Sequence, residues 1–529
     1  MRLANLKWEN FRRIPDGSID VRKHLVLVGP NDVGKSSLIR GIHLLIGVPS
    51  GQLAQAVGER DFTDPSRALT ISARFSDLST DERFSFPEQV DLTTSTLEVS
   101  IEATMTPGDP ESLAVQRILP GSAARRGPTR QQLDAFRWIY LPAMRSLLRE
   151  LGSSVGGTVQ TTLSNLDIGI DREAISEILN SLDDSLESAS SLKVIRESLS
   201  MALSSTLPND VPVANLHFRT ESGLEGSALR GVALTIDTDG VESPINEQSE
   251  GIKSIVLQAF LSSSQSAPSI LGIDEPEIHL HSLAQRSLAT LLIKSQSQLV
   301  LATHSAAIVG VIDPLDIVVF HHDRTISQLP VSHPFLNLKS LARHWSTRLL
   351  EPLTARKVVL VEGASDRIFL HCLAKCAGIN LDKHGISIFE LDGYGFFGSA
   401  YKFFGPGGFE LPISGMIDED ARSAVSTQIG IPPTDLEIND IYVCLNDLEE
   451  HYVRQLTLVR TLSILGSAGF SEASIVNTLR LPNSSTLSES DVAEFCRKKK
   501  VECALAVGNA IAQAEVPAFQ AILDIMRPL

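Results

Sequence analysis

Apolar and polar residues alternate with period two over Arg2 to Phe11 and over Ser18 to Val21, which predicts two strands. The unbroken apolar run Leu25 to Val28 predicts a third, buried strand. The period then changes: Leu38, Ile39, Ile42, Leu45 and Ile46 recur at helical spacing from Ser37 onward. Gly47 to Pro65, rich in Gly, Asp and Gln, predicts a loop. Alternation returns at Leu69 to Phe75 and Leu97 to Met105, which predicts antiparallel strands of a side sheet. Pro107 to Pro128, with Gly, Pro and the pair Arg125-Arg126, predicts an exposed connection. Ala135 to Leu151 begins as a strand and continues as a helix with Pro142 near its first turn. From Thr161 to Leu203 the spacing of Ile170, Ile175, Leu179, Leu182, Leu186, Leu192, Ile195 and Leu199 is helical. An insert of this kind buries its stripe either on a second copy of the chain or on its own domain.

Val211 to Asp239 is strand-like again, and Ile252 to Leu261 is an apolar helix. Short apolar runs ending in polar residues follow at Ile270 to Ile273, Leu299 to Ala302 and Ile317 to Phe320. Pro330 to Pro352 marks a boundary, after which the pattern restarts. Lys357 to Val361, Ile386 to Leu391, Pro412 to Ile417 and Asp440 to Leu445 predict four strands, and a mostly helical tail begins at Leu456. Gly393 to Gly408, rich in Gly and Phe, predicts loop and a short helix rather than a functional aromatic box. Buried strands alternating with helices predict an α/β fold in both halves, with domains over 1–345 and 355–529.

At 529 residues the chain is too long for one core. Its formal net charge of -17 argues against a coat of basic residues, and restricts any nucleic-acid contact to a local, salt-sensitive groove. The five cysteines lie in the last third without a C-x-x-C pair, which argues against a disulfide framework and structural zinc. No signal-peptide core and no membrane-length apolar run is present, so a cytoplasmic protein without a membrane partner is expected.

The candidate chemistry of the first half sits at strand ends. Gly29-Pro30-Asn31-Asp32-Val33-Gly34-Lys35-Ser36 fits the phosphate-binding loop G-x-x-x-x-G-K-[ST] between a strand and a helix. Its glycines let backbone N–H groups turn onto phosphate oxygens, and the helix end adds positive potential. Gly29, Asn31, Gly34, Lys35, Ser36 and Ser37 are the expected nucleotide contacts. Lys35 reaches the β- and γ-phosphates of ATP, and Ser36 holds Mg²⁺. Ile270 to Ile273 ends in Asp274-Glu275: Asp274 is expected to bind the nucleotide's Mg²⁺ through water, and Glu275 to polarise the attacking water. His304 is the expected γ-phosphate sensor.

In the second half three strands each end in carboxylates: Glu362 with Asp366, Asp418 with Asp420, and Asp447 with Glu449. Strand C-termini of a parallel sheet converge on one edge. Like charges gathered there repel unless cations sit between them, and hard oxygen ligands suit Mg²⁺ or Mn²⁺. Two such ions would activate a water and stabilise the leaving oxygen of a phosphodiester. Arg497-Lys498-Lys499-Lys500 follows, and a lysine there could pair with the scissile phosphate.

GPNDVGKS at 29–36, ILGIDEPE at 270–277, LATHS at 301–305, VEGASD at 361–366, IDED at 417–420 and NDLEE at 446–450 together resemble the overcoming-lysogenization-defect (OLD) family of nucleases. The resemblance implies an SMC-like ATP-binding-cassette ATPase domain with a helical dimerisation insert at about 155–210, joined to a Toprim domain with a helical C-terminal extension. It places Ser249 and Gly251 where the cassette signature completes a partner's nucleotide site, although NEQSEGIK departs from the usual two-glycine form. It assigns metal binding to Glu362, Asp366, Asp418, Asp420 and Glu449, with Glu362 also catalytic, and makes Lys500 the family's basic residue. It implies DNA as substrate, a homodimer or dimer of dimers, phage defence, and in some members a separate helicase partner. The competing expectation is an SMC-like clamp that holds DNA through an inactive Toprim domain, and the intact carboxylate set speaks against it.

Overall fold

A computed structural model describes residues 1–91, 93–107, 109–120, 127–142, 187–206, 211–220, 232–238, 241–244, 248–249, 251–252, 255–256, 269–278, 280–331, 345–482 and 486–528. The chain divides into two compact units, Met1–Phe320 with Lys339–Thr347, and His321–Leu338 with Arg348–Leu529.

The first unit contains a twisted antiparallel sheet and a parallel one. Strands β1 (Arg2–Glu9), β2 (Gly17–Asp20), β3 (Leu25–Val28), β4 (Leu69–Ser76), β5 (Thr96–Thr106) and β6 (Asp109–Ile118) precede β7 (Trp138–Leu141). The antiparallel sheet runs β2-β1-β4-β5, with β6 paired to β5. Its period-two burial is clear on β4, where Leu69, Ile71, Ala73 and Phe75 are buried and their neighbours are not. Helix α1 (Lys35–Ile46) packs between the two sheets, burying Leu38, Ile39, Ile42, Leu45 and Ile46.

Helix α2 (Ser190–Thr206) leads to a small sheet of β8 (Leu216–Thr220), β9 (Val232–Thr238) and β10 (Val241–Pro244) in order β10-β9-β8. The parallel sheet is completed by β11 (Ile270–Asp274), β12 (Gln298–Ala302), after helix α3 (Ser282–Lys294), and β13 (Ile317–Phe320). Its order is β13-β3-β12-β11-β7, every pair parallel. Both faces are covered, so β3, β11 and β12 are buried at every position, which explains their mostly apolar sequences, broken only by Asp274 at the end of β11 and Gln298 at the start of β12.

The structure corrects one expectation here. Residues 109–118 form β6 rather than an exposed connection, and Arg117 is buried, donating to the carbonyls of Leu44 (2.5 Å) and Val48 (2.7 Å). Pro110 misled the reading because it falls where the β5–β6 register shifts, on an edge strand, where a missing N–H costs little. Arg125-Arg126 of that connection, and most of the predicted insert including the stripe from Ile170 to Leu186, lie outside the described residues. The described end, α2, packs on its own unit: Leu199, Ala202 and Leu203 join Leu216, Ile236, Ile255 and Val256 in one core.

The second unit is a four-stranded parallel sheet. Its strands are β14 (Lys357–Val361), β15 (Ile386–Glu390), β16 (Ile413–Ile417) and β17 (Ile441–Val443), in order β15-β14-β16-β17. Helix α4 (Ala364–Cys376) follows β14, α5 (Phe397–Phe404) follows β15 and α6 (Leu448–Leu456) follows β17. The tail adds α7 (Glu489–Lys498) and α8 (Lys500–Ala510), and α8 packs along α4. Phe369, Leu373, Tyr452, Cys496, Cys503 and Val507 close that core, and all five cysteines are unbridged. The tail is therefore built into the core of this unit.

Gly272, inside β11, faces the indole of β7: a Cβ there would lie 2.3 Å from Trp138 Cη2. Overpacking of this kind costs about 1–3 kcal/mol. Gly272→Ala is expected to lower the urea midpoint of the first unit, and an unchanged midpoint would show that the indole can move aside.

Candidate functional site

Both parallel sheets place their chemistry where the strand order reverses. In the first unit the chain leaves β3 through Gly29 (φ 152°) and enters α1 through Gly34 (φ 115°). A Cβ at Gly29 would lie 2.4 Å from the Phe320 carbonyl oxygen, and one at Gly34 2.1 Å from Ile14 Cγ2, so both conformation and space demand glycine. Lys35 is buried and donates to the carbonyls of Gly29 (2.9 Å) and Pro30 (2.6 Å), held inside its own loop. Burial pulls its ammonium down to about 8, against the opposing pull of Asp274 and Glu275. Asn31 is exposed at the loop's tip. Ser37 accepts from Arg12 Nη1 (3.2 Å), and Arg12 is itself paired with Asp61 (2.8 Å).

Asp274 ends β11 and is buried, which raises its pKa, while a hydrogen bond from Ser36 lowers it. Its Oδ1 is buried without a hydrogen-bond partner among the described residues. A buried carboxylate oxygen without a donor, beside a serine hydroxyl, fits a hard divalent cation. Glu275 follows with φ 50°, its N–H donating to the Ala302 carbonyl (2.9 Å). His304 sits beyond β12, half-buried; burial lowers its pKa, and so does the charge of Lys35. The loop therefore gathers Lys35, Ser36, Asp274, Glu275 and His304 within electrostatic reach of one another. Ser249 is exposed and Gly251 opens a short helical stretch, and no described contact joins either to the loop.

Sequence reasoning missed Glu277. Its carboxylate accepts from the Thr303 hydroxyl (2.8 Å) and the His304 N–H, clamping the end of β11 to the end of β12. Ser305 extends the clamp to Gln285 of α3 (2.6 Å), whose amide returns to the Leu280 carbonyl (2.7 Å). The acid was visible in sequence, but its donors lie 26 and 27 residues away.

In the second unit the order β15-β14-β16-β17 reverses between β14 and β16. There a cavity of about 320 Å³ is lined by Glu362, Asp366, Asp392, Asp418, Glu449 and Lys500 with the turn at 363–365. Glu362 leaves β14 and accepts the N–H of Asp418 (2.9 Å), tying the two strand ends together. Asp366 stands in the first turn of α4 and accepts the Gly363 N–H (2.9 Å). Asp418 accepts the Leu448 N–H (3.2 Å), which brings in the end of β17. Glu449 is 2% exposed.

Burial, reinforced by the neighbouring carboxylates, pushes Asp418 up to about 8. Asp366 rises to about 7, from burial first and then Glu449 and Glu362. Glu362 and Glu449 are raised by burial too, with Lys500 opposing. This acidic, oxygen-rich donor set fits hard divalent cations, which would supply the missing counter-charge. Among the described residues no three His, Cys, Asp or Glu side chains stand at metal-ligating spacing, and Glu362, Asp366 and Asp418 each accept a backbone N–H.

Two carboxylates fall elsewhere. Asp420 is exposed and does not line the cavity, although its charge reaches Glu362. Asp447 caps α6 and pairs with Arg497, which also holds Glu450 (3.0 Å). Among the lysines, Lys498 pairs with Glu494 (3.8 Å) and Lys499 with Glu502 (3.8 Å), while Lys500 lines the cavity. Asp392 was missed in sequence. It follows β15 in the pattern of the other strand-end acids, lines the cavity and pairs with Arg348 (2.9 Å).

Fold and sites define a P-loop ATPase joined to an α/β domain with a carboxylate-lined cavity. Residues 25–310, more than half of the chain, match the family model "AAA domain, putative AbiEii toxin, Type IV TA system". Residues 353–420 match "Overcoming lysogenization defect protein-like, TOPRIM domain". The OLD nuclease of Thermus scotoductus is 24% identical over 414 residues, covering 74% of this chain and 77% of the relative. The Old nuclease of Escherichia phage P2 is 23% identical over 449 residues, covering 75% and 73%. Among solved structures, an SMC head bound to the C-winged helix domain of ScpA aligns at 16% identity and TM-score 0.42, covering 63% of this chain and 98% of that one. The chain belongs to the family of that AAA-type ATPase domain and carries an OLD-like Toprim domain after it.

The raised carboxylates set the pH dependence of the metal-free protein. With folded values near 7 and 8 against about 3.9 unfolded, the folded chain holds protons that the unfolded chain releases. Their contribution to stability is complete below about pH 4 and lost as pH rises through 8. Asp418→Asn, which mimics the protonated acid, should melt higher than wild type above pH 8 in chelator, with the gap closing toward pH 4. A gap independent of pH would contradict this.

Proposed function

We propose that this protein is a divalent-metal-dependent DNA endonuclease whose cutting is controlled by a bound nucleotide, acting in phage defence or DNA processing. The observation that carries it is the convergence of Glu362, Asp366, Asp418 and Glu449 with Lys500 in one cavity at the switch point of the second sheet. The likeness to two proteins called OLD nucleases supports it.

In this reading Glu362, Asp366, Asp418 and Glu449 hold Mg²⁺ or Mn²⁺, with Asp420 joining from the rim. Bound there, such cations would supply a water of lowered pKa and counter-charge for the departing oxygen. Glu362 orients the attacking water, and Lys500 holds a non-bridging oxygen of the scissile phosphate. Lys35 and the loop N–H groups from Gly29 to Ser37 hold the phosphates of ATP. Ser36 and Asp274 hold its Mg²⁺, Glu275 takes the proton of the attacking water, and His304 reads the γ-phosphate. Glu277 positions His304. Ser249 and Gly251 act on the nucleotide of a second copy, which requires a homodimer or dimer of dimers. The two activities divide between 1–345 and 355–529. Among the described residues no helix is long and apolar enough to cross a membrane.

The two sites have separate acids, so their activities should separate by mutation. Lys35→Ala should abolish tight ATP binding, and Glu275→Gln should bind ATP but hydrolyse it about 10²-fold more slowly or worse. Asp418→Ala should slow metal-dependent cutting of plasmid DNA on the order of 10³-fold and leave ATP hydrolysis standing. The readouts are phosphate release and conversion of supercoiled DNA with Mg²⁺, Mn²⁺ or chelator. Wild-type cutting by Asp418→Ala would place the nuclease elsewhere, and metal-dependent cutting absent from every preparation would favour a DNA-holding clamp.

A further inference from the structure

The segment between β15 and β16 is rich in aromatic residues, and the structure sorts them into two groups. Phe397, Phe403, Phe404 and Phe409 are fully buried, and the Phe403 ring packs against those of Phe404 and Phe409. Tyr394 and Phe396 remain 40% and 37% exposed. They lie on a 3₁₀ turn that begins directly after Asp392 and Gly393, two residues that line the carboxylate cavity. The turn is held in place: Asp392 (φ 60°) and Gly393 (φ 113°) reverse the chain, and the Gly393 N–H donates to the Glu362 carbonyl (2.8 Å). On α8, Val501 lines the same cavity at 44% exposure, and Leu505 one turn on is 48% exposed. Apolar surface therefore borders a cavity whose charged lining residues are carboxylates and Lys500.

The charges around this mouth make the apolar surface informative. Five carboxylates line the cavity against Lys500. Cations near it are paired with protein carboxylates: Arg348 with Glu390 and Asp392, Arg367 with Glu390, Lys498 with Glu494 and Lys499 with Glu502. A surface built this way offers duplex phosphates little of the counter-charge on which duplex binding rests. B-form DNA also keeps its base faces stacked inside, so an exposed ring gains nothing from them. An unpaired nucleotide does present its face, and every base has one.

Resting on the nuclease reading above, we propose that Tyr394, with Phe396, is a base-stacking platform at the mouth of the carboxylate cavity. It directs cutting to DNA that carries unpaired nucleotides beside the scissile phosphate, such as flaps, gaps or single strands. Stacking supplies attraction where phosphate contacts are scarce, and it holds the neighbouring phosphate over Glu362 and Lys500.

The test compares full-length wild type, Tyr394→Ala, Phe396→Ala and Tyr394→Phe on a labelled duplex and on the same duplex with an unpaired flap, with Mn²⁺. Wild type should favour the flapped substrate. Tyr394→Ala should lose about tenfold in kcat/KM on it, mainly through KM, and Tyr394→Phe should restore it because the ring is kept. ATP hydrolysis and melting temperature report folding. In Ca²⁺, a 2-aminopurine in the flap should be quenched by wild type and Tyr394→Phe, and less by Tyr394→Ala. Ring-dependent quenching without any cutting would sink the nuclease reading and keep the platform. Quenching that is absent in wild type, or equal in Tyr394→Ala, overturns the platform. Equal losses on both substrates, or a change in mass by light scattering with quenching intact, also overturn it and make the ring a scaffold or a protein-contact residue.

Discussion

Carboxylates confined in one desolvated cavity repel one another, and the second unit is built to hold them there regardless. Asp418 and Asp366 are pushed toward neutrality by burial and by their neighbours, so at neutral pH the metal-free site keeps protons that exposed acids would have lost. The repulsion is contained by backbone N–H groups: Asp418 gives one to Glu362, Gly363 gives one to Asp366 and Leu448 gives one to Asp418. The first of these bonds crosses from β14 to β16 and the last from β16 to the start of α6, so the acids and the sheet hold each other in register. Asp447 is paired with Arg497 and does not line the cavity, although its charge still reaches Asp418 and Glu449.

The same topological device produces both sites. A parallel sheet whose strand order reverses leaves a crevice at the C-terminal ends of two central strands. In the first unit the crevice between β3 and β12 receives the phosphate loop, and in the second the crevice between β14 and β16 receives the acids. What differs is the sign of the charge brought there. Lys35 and the start of α1 make the first an anion site, with Asp274 at its side. The second is anionic itself and suits cations, with Lys500 delivered by the C-terminal helices. Those helices are thus both core and site: α8 packs along α4 and begins at Lys500.

Local patterns determined much of this from sequence. The phosphate loop is contiguous and its glycines answer to local φ values, so Gly29, Gly34, Lys35 and Ser36 could be named directly, although the close approaches of Phe320 and Ile14 come from elsewhere in the chain. Strands buried on both faces read as apolar runs, and the four strands of the second sheet were all legible, as was the rule that their ends carry acids. Tertiary structure decided what depends on partners distant in sequence. Glu277 became a clamp only when β12 placed Thr303 and His304 beside it. Asp392 joined the cavity because its turn is pinned to Glu362, and Asp420 stood out at the surface although it lies two residues from Asp418. Three consecutive lysines look alike in sequence, but the helix breaks at Lys499, and that break sends Lys498 and Lys499 to neighbouring glutamates and Lys500 to the acids. Spacing along a chain reports which groups share a strand or a helix face. Which groups meet across a cavity is set by how those elements pack.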